Sequence, residues 1–325
     1  MPFRSDPRCH PLVELSREEI FSMLQPALGG VLLGEAVCVR GGLVNSVYHV
    51  SVRDSGEVYA LRVYAAEGDA MKRECGLLHS LRDALPVPQV LFADASGAYC
   101  THPYLIYPWI EGITLNEWRR QSPSETLLCI AAPLGSLLAQ VARAAFPSDC
   151  ISRRMQVSRL LEQSEEQLRG GLARKRLGGA LADAMLGCFK ASSSTLRALD
   201  NRSGLVHGDF GGRNILVKAS ERGAWEISGL IDWEQAAVGS PLWDVGSLFR
   251  YSSRYSEKFR ALFERGYSEA GGSLPSGWWL AARMIDAVQL VSILNEEREL
   301  PGVFAECADL IQSIVADAPG RMTAA

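Results

Sequence analysis

The sequence predicts an α+β protein: a small antiparallel sheet near the N-terminus, then a mainly helical remainder. Three observations carry this. Residues 31–63 alternate short β-rich runs with turns that contain glycine. Residues 67–84 place Met71, Cys75, Leu78 and Leu81 at helical spacing, and strand-like runs follow at 89–93 and 104–110. From Leu115 onward the pattern is mostly helical, broken by one hairpin-like stretch.

Each element has a local reason. Ser16-Arg-Glu-Glu19 is a capping box that opens a helix through about Leu28. Gly41-Gly42 separates the run at 37–39 from that at 47–52, and Asp54-Ser-Gly56 turns the chain into 58–64, which makes a three-stranded meander. Ser122-Pro-Ser-Glu125 reads as a second capping box with proline at the first helical position. The basic stretch 153–176 interleaves with Glu162, Glu165 and Glu166, the pattern of a solvated helical face.

Composition bounds the function. A chain of 325 residues is long enough for two lobes, each with its own core. Hydrophobic residues at 47% and charged residues at 22% are those of an ordinary soluble protein. No apolar run approaches the roughly 18 residues of a membrane span, and residues 1–15 hold prolines and charges without the apolar segment of a secretory signal. Eight cysteines are scattered without a C-x-x-C pair, which argues against a zinc site or a disulfide framework and fits a reducing cytoplasm. A net charge of −4 gives no basic footprint for nucleic acid.

The chemistry is concentrated in Leu205-Val-His-Gly-Asp-Phe-Gly-Gly-Arg-Asn214 and Gly229-Leu-Ile-Asp-Trp-Glu234. Asp209 and Asn214 have the spacing of a kinase catalytic loop, D-x-x-x-x-N, in which the Asp sits by the attacking hydroxyl and the Asn oxygen holds Mg²⁺. The metal needs a second ligand, and Asp232 is the candidate. The apolar run 215–217, the polar segment 218–224 and the β-rich run 225–231 read as a hairpin with Gly223 in its turn. Such a hairpin brings Asn214 and Asp232 together, two oxygen donors for a hard cation, with a bulge able to shift the register by one residue.

These residues resemble the aminoglycoside phosphotransferase and choline-kinase-like family of small-molecule kinases. The resemblance rests on His207-Gly-Asp-Phe-Gly-Gly-Arg-Asn214, Ile231-Asp-Trp-Glu234 and Gly239-Ser-Pro-Leu-Trp-Asp244, and it covers about residues 30–250. It implies a bilobal protein-kinase-like fold, with an N-lobe over 1–110 that binds nucleotide and a C-lobe over 111–325. It further implies Asp209 as catalytic base, Asn214 and Asp232 as Mg²⁺ ligands, and His207 and Asp244 as braces of the catalytic loop. The cofactors it implies are Mg²⁺ and ATP, with GTP open.

Further residues follow from that frame. Gly42 and Ser46 lie where a glycine turn and a hydroxyl would meet phosphates. Arg62 stands where a kinase carries its strand lysine, with Glu74 as partner; the alternative is a surface ion pair of little worth. In 107–112, an inter-lobe hinge would offer adenine the Pro108 carbonyl and the Ile110 N–H, since Pro108 has no N–H of its own. Glu234 would face a cationic acceptor or be an exposed loop acid. Asp286 and Gln289 share one helical face and would line the acceptor pocket, whereas Trp278-Trp279 beside them reads equally as core. Arg213 would lie near the transferred phosphate or in solvent.

The expected protein is therefore a cytoplasmic, ATP-dependent phosphotransferase that moves the γ-phosphoryl group to a hydroxyl of a small molecule, an aminoglycoside-like antibiotic or similar. Nucleic acid and membrane are not expected partners. A metabolic kinase of choline, sugar or amino-alcohol type is the alternative, as is a nucleotide-binding pseudokinase, which the substitution Arg62 motivates. A protein substrate is disfavoured, because no A-P-E segment follows Asp232.

Overall fold

A computed structural model describes residues 10–39, 44–65, 68–123 and 125–318. The first third is built around a five-stranded antiparallel sheet. Its elements are α1 (Arg17–Leu28), β1 (Leu33–Val39), β2 (Ser46–Val52), β3 (Val58–Val63), α2 (Gly68–Leu81), β4 (Phe92–Asp94) and β5 (Tyr104–Pro108), with strand order β1-β2-β3-β5-β4. The expected meander and helix are present. The first capping box forms as read: Ser16 Oγ accepts from the Glu19 N–H at 3.1 Å, and Glu19 Oε2 accepts from the Ser16 N–H at 2.7 Å. The strand expected at 89–93 starts only at Phe92, because Pro86 and Pro88 just before it lack the donors a ladder needs.

Strand alternation gives the sheet two faces. On one, Tyr48, Val50, Leu61, Val63 and Ile106 pack with Ile20, Met23 and Leu24 of α1. On the other, Ala60, Leu105 and Tyr107 join the main core with Met71 and Leu78 of α2. The register pairs Val47 with Arg62 and Ser46 with Val63. Arg62 therefore emerges on the α2 face, and Ser46 on the α1 face.

The remainder is mainly helical: β6 (Ile113–Thr114), α3 (Leu115–Gln121), α4 (Leu128–Arg143), β7 (Arg154–Met155), α5 (Val157–Gly170), α6 (Leu172–Leu177), α7 (Gly179–Ala198), β8 (Gly204–Val206), β9 (Ile215–Ala219), β10 (Trp225–Leu230), β11 (Ala237–Gly239), α8 (Leu242–Leu248), α9 (Glu257–Glu269), α10 (Trp278–Leu294) and α11 (Pro301–Asp317). Two small sheets, β10-β9-β6 and β7-β11-β8, frame the segment that carries the sequence motifs. The second expected capping box does not open a helix. The chain instead turns through Pro123 and Glu125 by i→i+3 bonds, and α4 starts at Leu128 without a side-chain cap. A box that went unread, Thr114-Leu-Asn-Glu117, caps α3.

The basic stretch is spent on ion pairs such as Arg169–Glu165 and Arg176–Glu299, both 2.7 Å. Trp278 packs in the core with Phe249 and Phe263, ring centroids 6.0 Å apart in each case. Among the described residues no helix is long and apolar enough to cross a membrane. Helices α4 and α9 pack backbone to backbone: a Cβ at Gly135 would strike the Phe263 carbonyl, and one at Gly266 the Ala132 carbonyl. Gly135→Ala is therefore expected to destabilise the protein by about 1–3 kcal/mol, the usual cost of overpacking, as measured by urea denaturation.

Candidate functional site

The loop after β8 holds the motif His207 to Asn214, and its conformation is fixed from two sides. Asp244, in the first turn of α8, accepts the backbone N–H of His207 at 2.7 Å and that of Gly208 at 3.0 Å. The His207 ring bridges the loop to the end of the hairpin. Its Nδ1 accepts the Asp209 N–H at 3.3 Å, so the proton sits on Nε2, which donates to the Ile231 carbonyl at 3.0 Å. Burial pushes the His207 pKa down, which keeps the ring neutral, as this arrangement needs. Burial pushes Asp244 up to about 7, opposed by its two N–H bonds. Gly208, at φ 85°, lies so close to the Gln235 carbonyl that no side chain fits. His207 and Asp244 are thus loop braces by geometry.

Asn214 donates through Nδ2 to both the Asp209 carbonyl and Asp209 Oδ2, each at 2.9 Å. Its amide oxygen is thereby turned the other way. The hairpin closes as expected: β9 pairs with β10 from Ile215↔Leu230 to Ala219↔Trp225, and the Ile231 N–H donates to the Asn214 carbonyl at 2.9 Å. A bulge between Ile227 and Gly229 shifts the register. Asp232, just beyond, has φ 69° and ψ 65°, the one non-glycine residue at positive φ among the described residues. Such strain persists where surrounding contacts enforce it, often at functional sites. Arg213 Nη2 lies 3.5 Å from Asp209 Oδ2.

Arg62 faces this hairpin from the sheet. Its Nη2 lies 2.6 Å from Asp232 Oδ1, 3.2 Å from Glu234 Oε2 and 3.4 Å from Glu74 Oε2. Only 8% of the Arg62 side chain is exposed, so the surface-pair alternative is excluded. Burial works against its charge, but Glu74 and Asp232 outweigh that and hold the guanidinium well above its ordinary pKa. Glu74 is buried on α2, where it also accepts from Tyr64 Oη at 2.6 Å and from the Trp233 N–H at 3.1 Å. Burial raises its pKa, and Arg62 opposes the rise. Burial, with Asp232 nearby, pushes Glu234 up to about 7.

At the end of β5 the backbone leaves one carbonyl outside the ladder to β3. The Trp109 N–H is used on the Val58 carbonyl at 2.8 Å. Tyr59↔Pro108 is then a pair whose backbone groups do not bond each other, and the Pro108 carbonyl turns away from β3. The Ile110 side chain packs over the glycine of the bulge, Gly229, beside Leu216.

A family model described as "Phosphotransferase enzyme family" matches residues 36–278. The chain belongs to the phosphotransferase enzyme family. It is a phosphotransferase, with an alcohol group as acceptor. Viomycin phosphotransferase of Streptomyces vinaceus is 25% identical over 252 residues, 75% of this chain and 84% of that protein. The fold matches a GDP and kanamycin complex of APH(2")-IIia with a TM-score of 0.71, at 17% identity, over 92% of this chain and 99% of that one. It also matches a thermostable mutant of aminoglycoside phosphotransferase APH(4)-Ia, in a ternary complex with ADP and hygromycin B, with a TM-score of 0.64, at 19% identity, over 93% and 99% of the two chains. The architecture is accordingly protein-kinase-like and α+β.

Not every expected residue of this phosphotransferase joins the site. Gly42 lies outside the described residues. Ser46 is on the wrong face: its hydroxyl is buried and accepts the Val13 N–H at 3.0 Å, on the α1 side of the sheet. Asp286 is fully buried and ion-paired to Arg250 at 2.7 Å, and Gln289 Oε1 accepts from Arg250 Nη2 at 2.9 Å. Asp286 thus has no surface for an acceptor, and it supports Arg250 instead. Arg250 lines a cavity of about 290 Å³ with Tyr251, Ser252, Ser253, Glu306 and Asp309. Two residues went unread. Tyr64 lies two beyond Arg62 and hence on its face, a signal that strand alternation carries. Asn45 lies two before Val47, the partner of Arg62, and its Nδ2 donates to Glu234 Oε2. Asp244→Ala would leave two buried N–H groups without acceptors. It is expected to cost about 2–5 kcal/mol, read from denaturation midpoints.

Proposed function

We propose that this phosphotransferase moves the γ-phosphoryl group of Mg-ATP to a hydroxyl of a small, polyhydroxylated acceptor. The observation that carries the reading is the convergence of Asp209, Asn214 and Asp232 on one closed loop and hairpin, with Arg62 opposite. Residues 1–110 serve as the nucleotide-holding lobe and residues 111–325 as the acceptor-holding lobe.

The residues fit Mg²⁺. The donor set is an amide oxygen from Asn214 and a carboxylate from Asp232, both hard ligands. Among the described residues no group of three or more His, Cys, Asp or Glu surrounds a metal position. Two protein ligands suit a cation that takes its other ligands from phosphates and water. When bound, Mg²⁺ neutralises charge that develops on the phosphates. Asp209 orients the acceptor hydroxyl and takes its proton. Arg62 grips the phosphates through a fork that Glu74 steadies. The Pro108 carbonyl and the Ile110 N–H hold the adenine edge. Most of the rate comes from positioning and charge stabilisation.

In the helical part of the chain, a cavity offers Glu306, Asp309 and serine hydroxyls. This supports an acceptor bearing hydroxyls and amines. The antibiotics bound or named in the relatives are of use here as test compounds.

The test is nucleoside diphosphate release from Mg-ATP and Mg-GTP with aminoglycosides, viomycin, choline, sugars and amino alcohols as acceptors. Release stimulated by one acceptor class is expected. Silence throughout, with nucleotide still bound, would favour the regulatory alternative. Asp209→Asn is expected to lower turnover by about 10²–10⁴-fold, the contribution of a positioned base, while calorimetry finds Mg-ATP binding intact. Asp232→Ala is expected to lose Mg²⁺-dependent nucleotide binding.

A further inference from the structure

The three carboxylates that meet Arg62 Nη2 are not equivalent. Glu74 is the farthest, at 3.4 Å, and is already shared with Tyr64 and the Trp233 N–H. Asp232 is the nearest, at 2.6 Å. Under the phosphotransfer reading, on which this inference rests, Asp232 is also the carboxylate that Mg²⁺ needs. Nucleotide binding must therefore loosen the shortest contact Arg62 makes. Glu234, at 3.2 Å, is then the nearer of the two carboxylates left to hold it, beside Glu74.

Glu234 is itself held in place. Its Oε2 accepts from Asn45 Nδ2 as well as from Arg62 Nη2. Asn45 in turn accepts the Ala65 N–H through Oδ1 at 3.3 Å. Ala65 lies just past the end of β3, three residues from Arg62. The chain of contacts thus runs from the strand that carries Arg62, through Asn45, to the carboxylate that receives the guanidinium. Asn45 and Glu234 are largely buried, so these contacts are little screened by water.

We propose that Glu234 and Asn45 are positioning residues: they hold one edge of the Arg62 guanidinium while Asp232 passes to the metal and the other edge passes to the phosphates. Arginine is suited to this and lysine is not. A planar fork serves a carboxylate along one edge and a phosphate along another, whereas an ammonium is a single point charge. All three carboxylates meet Nη2, so the edge that carries Nη1 is the one left for phosphate. Glu234 accordingly belongs to the nucleotide side of the site, not to a cationic acceptor.

The test is a double-mutant cycle on the full chain, with Mg-ATP and Mg-GTP binding followed by calorimetry and steady-state kinetics run on the active acceptor. Glu234→Gln and Arg62→Lys are each expected to weaken Mg-nucleotide binding about tenfold, and the double variant to be no more than about twofold weaker than the worse single one. Asn45→Ala should shift binding in the same direction and keeps the test decisive if Glu234→Gln does not fold. The acceptor KM should stay unchanged in both. Additive losses of about a hundredfold in the double variant would overturn the proposal. So would a Glu234→Gln variant with normal nucleotide affinity and a raised acceptor KM. A wild-type chain that binds neither nucleotide would instead overturn the phosphotransfer reading itself.

Discussion

One buried guanidinium joins the two halves of this molecule. Arg62 leaves the sheet at β3 and meets carboxylates from α2 and from the turn after the hairpin, all within 3.4 Å of one nitrogen. Taking these charges out of water is costly, and removing one partner of such a cluster typically costs about 3–5 kcal/mol. The sheet, α2 and the turn after the hairpin are therefore held in mutual register by electrostatics as well as by packing. Glu74 shows how tight the coupling is: one carboxylate serves Arg62, Tyr64 and the backbone of Trp233. A shift of α2 would disturb the sheet and the turn after the hairpin together.

The loop from His207 to Asn214 depends on a second set of constraints. Asp244 fixes two consecutive N–H groups, a neutral His207 ties the loop to Ile231, and Asn214 ties it to Asp209. None of these contacts needs a ligand in order to form. The left-handed backbone at Asp232 fits the same picture: the hairpin ends where its ladder ends, and the next residue is turned toward Arg62. The loop is thus ordered before any ligand arrives, and the cluster around Arg62 is charge-balanced, the kind of preorganisation that electrostatic catalysis favours.

Much of this was legible in the sequence because it rests on short-range pattern. The hairpin follows from alternation about a glycine turn, and counting about Gly223 sets Asn214 opposite Asp232, one residue beyond the Ile231 at which the ladder closes. The Arg62–Glu74 pair follows from a strand and helix in sequence. What failed depended on which way a side chain points. Ser46 has the right chemistry and a neighbouring position, but the period of two sends its hydroxyl under α1. Asp286 and Gln289 do share a helical face, yet that face looks into the core toward Arg250 rather than into a cleft. Glu234 reads in sequence as an acid facing a cationic acceptor or as a loop acid, because its partners, Asn45 and Arg62, lie 189 and 172 residues away. Of the two capping-box patterns, Thr114-Leu-Asn-Glu117 caps a helix, whereas the proline of Ser122-Pro-Ser-Glu125 leads into a turn.

The most direct test of a metal–nucleotide site at Asn214 and Asp232 is the thermal midpoint of the wild-type chain with ATP alone, Mg²⁺ alone, and both. A ligand at a hundredfold over its Kd adds about 2.7 kcal/mol to stability. A rise of several degrees only when both are present is expected, and Asp232→Ala should abolish it. An equal rise with ATP alone, or a full rise in Asp232→Ala, would contradict the assignment.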